Sequence, residues 1–149
     1  MKKGIIMKIT QISVFLENRK GRLRDVCSLL GDNDINIRAL TIAETESFGV
    51  LRIVVDKSDQ AVKLLKENGF VANLTDVVAV EVGDKPGGLS AVLKILADKD
   101  VNVEYMYAFV EKATDNALLV FRFEDIDLAQ KILAENDIKV VTEEQIKGL

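Results

Sequence analysis

Ile12, Val14 and Leu16 alternate with mostly polar neighbours, the pattern of a half-buried strand. Glu17-Asn18-Arg19-Lys20 breaks that pattern before Gly21. Apolar residues then recur at Leu23, Val26, Cys27 and Leu30, the i, i+3, i+4, i+7 spacing of a helix with one buried stripe. Gly31-Asp32-Asn33-Asp34 ends that helix. The β-branched and apolar run Ile35 to Ala43, turn signals from Glu44 to Gly49, and the run Val50 to Val55 together predict a hairpin. Ser58 or Asp59 is placed to cap a second helix with its stripe at Ala61, Leu64 and Leu65, and Gly69 to stop it. A strand over 70–75 closes the unit, in the order βαββαβ.

The pattern then runs again. Val78, Val80 and Val82 predict a strand, Asp84 to Gly88 a loop, and Leu89, Val92, Leu93 and Leu96 a helix stripe. Val101 to Phe109 and Ala117 to Phe123 form the hairpin, Ala129, Ile132 and Leu133 the second helix stripe, and residues 138–141 a last strand. Thr142-Glu143-Glu144-Gln145 has the form of a capping box. The echo extends to residue identity. A shift of 66 positions lays Gly21 on Gly87, Leu23 on Leu89, Val26 on Val92, Leu30 on Leu96, Asp32 on Asp98, Asp34 on Asp100 and Asn36 on Asn102. A shift of 68 lays Ala61 to Asn68 on Ala129 to Asn136. The chain is a duplicated small domain, with expected bounds 8–75 and 76–149. Each half has the split-βαβ, ferredoxin-like pattern of the α+β class, an antiparallel sheet with its helices on one face. Units of this size have marginal cores alone. They are expected to pack side by side as a rigid pair, because Phe70 to Val82 is strand-like except near Asn73–Asp76 and leaves no linker.

Composition narrows the function classes. Net charge is −4 over 149 residues, which disfavours a nucleic-acid partner. No apolar run is long enough to span a bilayer. The stretch Met1 to Met7 lacks the apolar core and cleavage site of a signal peptide, and one cysteine suits a reducing, cytoplasmic setting. The sequence has no histidine, so the commonest general base and metal ligand is missing. No zinc pattern, Walker A or Gly-x-Gly-x-x-Gly sequence occurs, and no cofactor or metal is expected. Cys27 aligns with Leu93 in the second copy and reads as a small core residue, not a nucleophile. Glu124, Asp125 and Asp127 stand where a helix begins and read as caps.

The strand-to-helix loops are the promising sites. Asn18-Arg19-Lys20-Gly21 and Asp84-Lys85-Pro86-Gly87 each bring a glycine to a helix start, where outward N–H groups and the helix dipole suit a carboxylate. A short polar side chain three residues before the glycine can meet an amino group. Asn36 and Asn102, each 18 residues further on and flanked by β-branched residues, are expected at the start of the next strand, facing the same ligand. The competing reading makes the glycines ordinary turns and the asparagines backbone partners.

These residues carry a family resemblance over the chain from about residue 8. Asn18-Arg-Lys-Gly-Arg-Leu23 with Asp34-Ile-Asn-Ile37, and Asp84-Lys-Pro-Gly-Gly-Leu89 with Asp100-Val-Asn-Val103, resemble the ACT domain in tandem. The resemblance implies a regulatory protein, not an enzyme, that binds a free amino acid where the loop and the second-strand asparagine meet at an interface between two domains. The implied ligand residues are Asn18, Arg19, Lys20, Gly21, Arg22, Leu23 and Asn36, with Asp84, Lys85, Pro86, Gly87, Gly88, Leu89 and Asn102. It also implies a homodimer or a metabolic-enzyme partner. The alternative is a regulatory subunit of a biosynthetic enzyme, similar to the small subunit of acetolactate synthase. Three of the differences between the copies bear on the sites. Asp84 replaces Asn18, Gly88 replaces Arg22, and Tyr105, Tyr107 and Phe109 replace Ala39, Thr41 and Ala43. The two sites are therefore expected to be unequal. The aromatic stripe either packs a sheet face or dimer contact or shapes a ligand pocket or partner surface.

Overall fold

The computed structural model describes residues 7–44, 47–111 and 115–149. The signal-peptide question over Met1 to Met7 falls almost wholly outside these residues, as does part of the turn expected between Glu44 and Gly49. Contacts divide the chain into a unit over residues 10–75 and a unit over residues 76–149 that also includes Lys8 and Ile9.

The first unit contains β1 (Lys8–Glu17), α1 (Arg22–Asp32), β2 (Ile37–Glu44), β3 (Phe48–Val55), α2 (Ser58–Glu67) and the first part of β4 (Val71–Val82). Its strand order is β2-β3-β1-β4. The antiparallel register sets Ile12 opposite Ile53 and Val14 opposite Leu51, with Leu40 and Ile42 next in those rows. Ile12, Val14, Leu51 and Ile53 form a core with Val26 and Leu30 of α1 and Ala61 and Leu65 of α2, while Leu40 and Ile42 stay exposed. Burying one such aliphatic side chain is worth roughly 1.5–3 kcal/mol. The second unit continues along β4 and adds α3 (Gly88–Asp98), β5 (Val103–Ala108), β6 (Ala117–Phe123), α4 (Ile126–Glu135), β7 (Val140–Val141) and α5 (Glu143–Lys147). Its order, β7-β4-β6-β5, repeats that of the first unit. Val78, Val80 and Val82 meet Phe121, Leu119 and Ala117 across the ladder. Phe121 and Phe123 stack with centroids 5.5 Å apart inside the core that Val92, Leu96, Ala129 and Leu133 complete. Both units are thus α+β, with an antiparallel sheet and two helices on one face.

Several local expectations need correction. β4 runs unbroken through Asn73–Asp76, because ladder bonding overrides the turn propensity of those side chains. The cap of α2 is Lys57, with no side-chain cap bond, and Ser58 is already helical. Leu23 begins the helical stripe yet stays 41% exposed. Cys27 is half-buried, like its counterpart Leu93. The last strand is only Val140–Val141. The Thr142–Gln145 capping box is present, and the Asp125 carboxylate accepts from the Leu128 N–H at 3.1 Å.

Candidate functional site

The loop after β1 is shaped by one residue that only glycine suits. Gly21, the N-cap of α1, has φ +86°, the left-handed region that costs an L-residue about 1–2 kcal/mol. The first α-helical bond formed beyond it runs from the Asp25 N–H to the Gly21 carbonyl, 2.9 Å. No side chain caps α1, so among the described residues the N–H groups of Leu23 and Arg24 have no acceptor in the chain. They point outward at the positive end of the helix dipole. The Asn18 N–H is tied to the Ser47 carbonyl at 3.0 Å, which leaves the Asn18 side chain on the surface.

A cleft of about 290 Å³ opens beside this loop, lined by Leu16, Glu17, Asn18, Arg19, Arg22, Leu23, Ile42, Glu44 and Gly49. Its floor is one row of the sheet, in which Gly49 pairs with Leu16 on one side and Glu44 on the other. The missing side chain of Gly49 leaves the space. Arg22 turns inward, its guanidinium carbon 4.3 Å from the centroid of Phe70. Its Nη1 reaches Asp25 only at 3.8 Å, and its Nε is buried without an acceptor. Arg19 pairs with Glu17 at 3.6 Å, and Lys20 stays on the surface. The sequence reading missed Leu16, Glu17, Ile42, Glu44 and Gly49. The cross-strand register that gathers them is not a local signal, and Gly49, read in the sequence as a turn residue, lies inside β3.

The loop of the second unit repeats the backbone and changes the surroundings. Gly87 caps α3 with φ +83°. Gly88 is buried, and its N–H donates to the Lys85 carbonyl at 3.0 Å. A Cβ on Gly88 would stand 1.9 Å from the Gly83 carbonyl oxygen, so the loop closes on itself where the first unit carries Arg22. Asp84, Lys85 and Pro86 are exposed and Leu89 is half-buried.

The asparagines lie elsewhere. Asn36 and Asn102 sit just before β2 and β5, beyond the far ends of α1 and α3. Each of those helices has 11 residues, an axial separation of about 16 Å from its loop. Within one unit, therefore, loop and asparagine do not reach one small ligand. The Asn36 N–H donates to Asp56 Oδ1 at 3.0 Å, and Asn102 Nδ2 donates to Glu124 Oε2 at 3.1 Å. Asn36 lines a second, wider opening with Gly31, Asp34, Ile35 and Asp56.

Of the other candidates, burial pushes the Cys27 thiol above its ordinary value, away from nucleophilic use. Among the described residues no cluster of three or more His, Cys, Asp or Glu is placed to hold a metal. No helix of those residues is long and apolar enough to cross a membrane. Tyr107 and Phe109 are buried and Tyr105 half-buried, on the sheet face opposite Met106 and the helices.

Two copies of one βαββαβ unit, each with a left-handed glycine delivering a helix start to a strand-end loop, define a tandem ferredoxin-like α+β fold. Residues 7–149 match the family described as ACT domain pair, and the chain belongs to it. It is similar over 96% of its length to 98% of a crystallised protein of Bacteroides thetaiotaomicron, with 39% identity and a TM-score of 0.89. The fold is also that of the regulatory subunit of aspartate kinase from Thermus thermophilus in its ligand-free form. There the identity is 18%, the TM-score 0.59, and the coverage 85% of this chain and 91% of that one. The corresponding subunit from Thermus flavus, at 16% identity and TM-score 0.59, covers 84% and 88%. No functionally curated protein matches the chain in sequence.

Proposed function

We propose that this chain is a non-catalytic regulatory protein that binds a free amino acid at the strand-to-helix loops of its ACT domains. The observation that carries the reading is the cleft beside Asn18–Leu23. It joins unengaged helix N–H groups and a cation, which suit an α-carboxylate, to Glu44 and Asn18, which suit an α-ammonium. Its volume, about 290 Å³, fits a small metabolite better than a nucleotide. Against catalysis stand the absence of histidine from the sequence and the raised thiol of Cys27. The mechanism is linkage: a ligand that binds one arrangement of domains or partners more tightly shifts the population toward it.

A thermal-shift and calorimetric screen of the common amino acids tests this reading. Saturation to 100 times Kd raises stability by about 2.7 kcal/mol. No response to any amino acid at millimolar concentration would defeat it. A second reading, the regulatory subunit of an amino-acid biosynthetic enzyme, has in its favour the fold and matching span of the Thermus aspartate kinase regulatory subunit. Co-purification of a metabolic enzyme from native cells supports that reading, and a lone homodimer counts against it.

A further inference from the structure

We infer that the first unit holds the working site of the pair, that its ligand is a zwitterionic α-amino acid with an aliphatic side chain, and that Arg22 holds the carboxylate. This rests on the amino-acid reading above and narrows it to one unit and one ligand class.

The cleft walls carry four charged side chains, Glu17, Arg19, Arg22 and Glu44. Glu17 and Arg19 neutralise each other at 3.6 Å. That leaves one cation, Arg22, and one anion, Glu44. Arg22 is held against Phe70, and its nearest carboxylate, on Asp25, lies closer to Arg24 (3.2 Å) than to Arg22 (3.8 Å). The buried Nε N–H of Arg22 lacks an acceptor, which is destabilising until one arrives. A carboxylate matches the planar guanidinium fork, and the neighbouring helix N–H groups favour the same charge. Glu44 has no ion-pair partner among the described residues and is free to take the ammonium.

With both charges engaged by the α-groups, the apolar part of the cleft is Leu16, Leu23, Ile42 and Gly49, beside Asn18 and the Glu17–Arg19 pair. Leu23 and Ile42 are 41% and 48% exposed, and an aliphatic side chain laid across them removes that surface from water. A charged side chain laid on Leu23 and Ile42 is desolvated, and to find a partner it must compete with the Glu17–Arg19 pair. The second unit lacks both enabling features. Gly88 stands where Arg22 does, pressed on Gly83, and Ala117 stands where Gly49 opens the floor.

Calorimetry on the full chain with L-valine, L-leucine, L-isoleucine, L-aspartate and L-lysine decides the matter. The expected result is one ligand per chain, with the aliphatic amino acids at least ~10-fold tighter than aspartate or lysine. Arg22→Gln is expected to weaken binding at least ~10-fold, the size of one lost charge-assisted hydrogen bond, and Arg22→Lys less. Gly49→Val refills the floor and is expected to weaken binding without lowering the ligand-free melting temperature. Should Arg22→Gln fail to fold, Gly49→Val and amide NMR shifts carry the test. Those shifts are expected at Leu23, Arg24 and Ile42 and not over Gly87 to Ser90. Two ligands per chain, preference for a charged amino acid, or undiminished binding by the folded variants overturns the inference and leaves the amino-acid reading standing. Absence of binding by every amino acid overturns both.

Discussion

Alanine at Gly88 separates two lines of physical reasoning. Gly88 is the first residue of α3, and on helix propensity alone an alanine there is worth roughly 0.5–1 kcal/mol of added stability. The structure argues the opposite. The new Cβ would lie 1.9 Å from the Gly83 oxygen and 2.8 Å from its carbonyl carbon, where ordinary contact begins at 3.4 Å. Both partners are backbone, so no rotamer change relieves the clash, and the strand end and helix start must part by more than an ångström. Overpacking of this kind costs about 1–3 kcal/mol and occasionally more, and backbone against backbone belongs at the upper end. Gly87→Ala is the control. Its Cβ meets nothing nearer than Ser90 Oγ at 3.9 Å, so only the strain of φ +83° remains, about 1–2 kcal/mol. Equilibrium urea unfolding followed by circular dichroism is therefore expected to rank wild type above Gly87→Ala and Gly87→Ala above Gly88→Ala. A Gly88→Ala protein as stable as wild type, or more stable than Gly87→Ala, refutes the close-approach argument.

Asp125→Ala removes the side-chain cap of α4 and is expected to cost about 1 kcal/mol in the same assay, while Ser58→Ala, at a position that makes no cap bond, costs less. Cys27 is expected to react with a thiol reagent at pH 8 more slowly in the folded chain than after unfolding. Because desolvation raises the folded-state pKa, stability is unaffected by this group below the ordinary thiol value and falls as pH rises past it, which urea midpoints between pH 7 and 10 would record.

Much of this fold was legible in the chain because the repeat acted as a second measurement of each element. Val26 and Val92, or Ala61 and Ala129, fall at the same core positions, and the run Val78-Val80-Val82 marks the face that meets the helices, although Val77 and Ala79 on the other face are buried too. What escaped depended on contacts distant in sequence. Asn73–Asp76 reads as a break from propensity, but ladder bonding carries the strand through it. The spacing of Asn18 and Asn36 says nothing of the full helix between them, which puts them at opposite ends of α1. The loop glycines were found because left-handed backbone is a local demand. The cleft floor was not, because Leu16, Gly49 and Glu44 become neighbours only through the register of three strands.

Binding of a free amino acid at the β1–α1 loop is tested most directly by an amide NMR titration of the full chain with pooled amino acids. Saturable shifts of the Gly21, Leu23 and Arg24 amides are expected at millimolar ligand or below. Amides of that loop unmoved at saturating concentrations of every amino acid would contradict it.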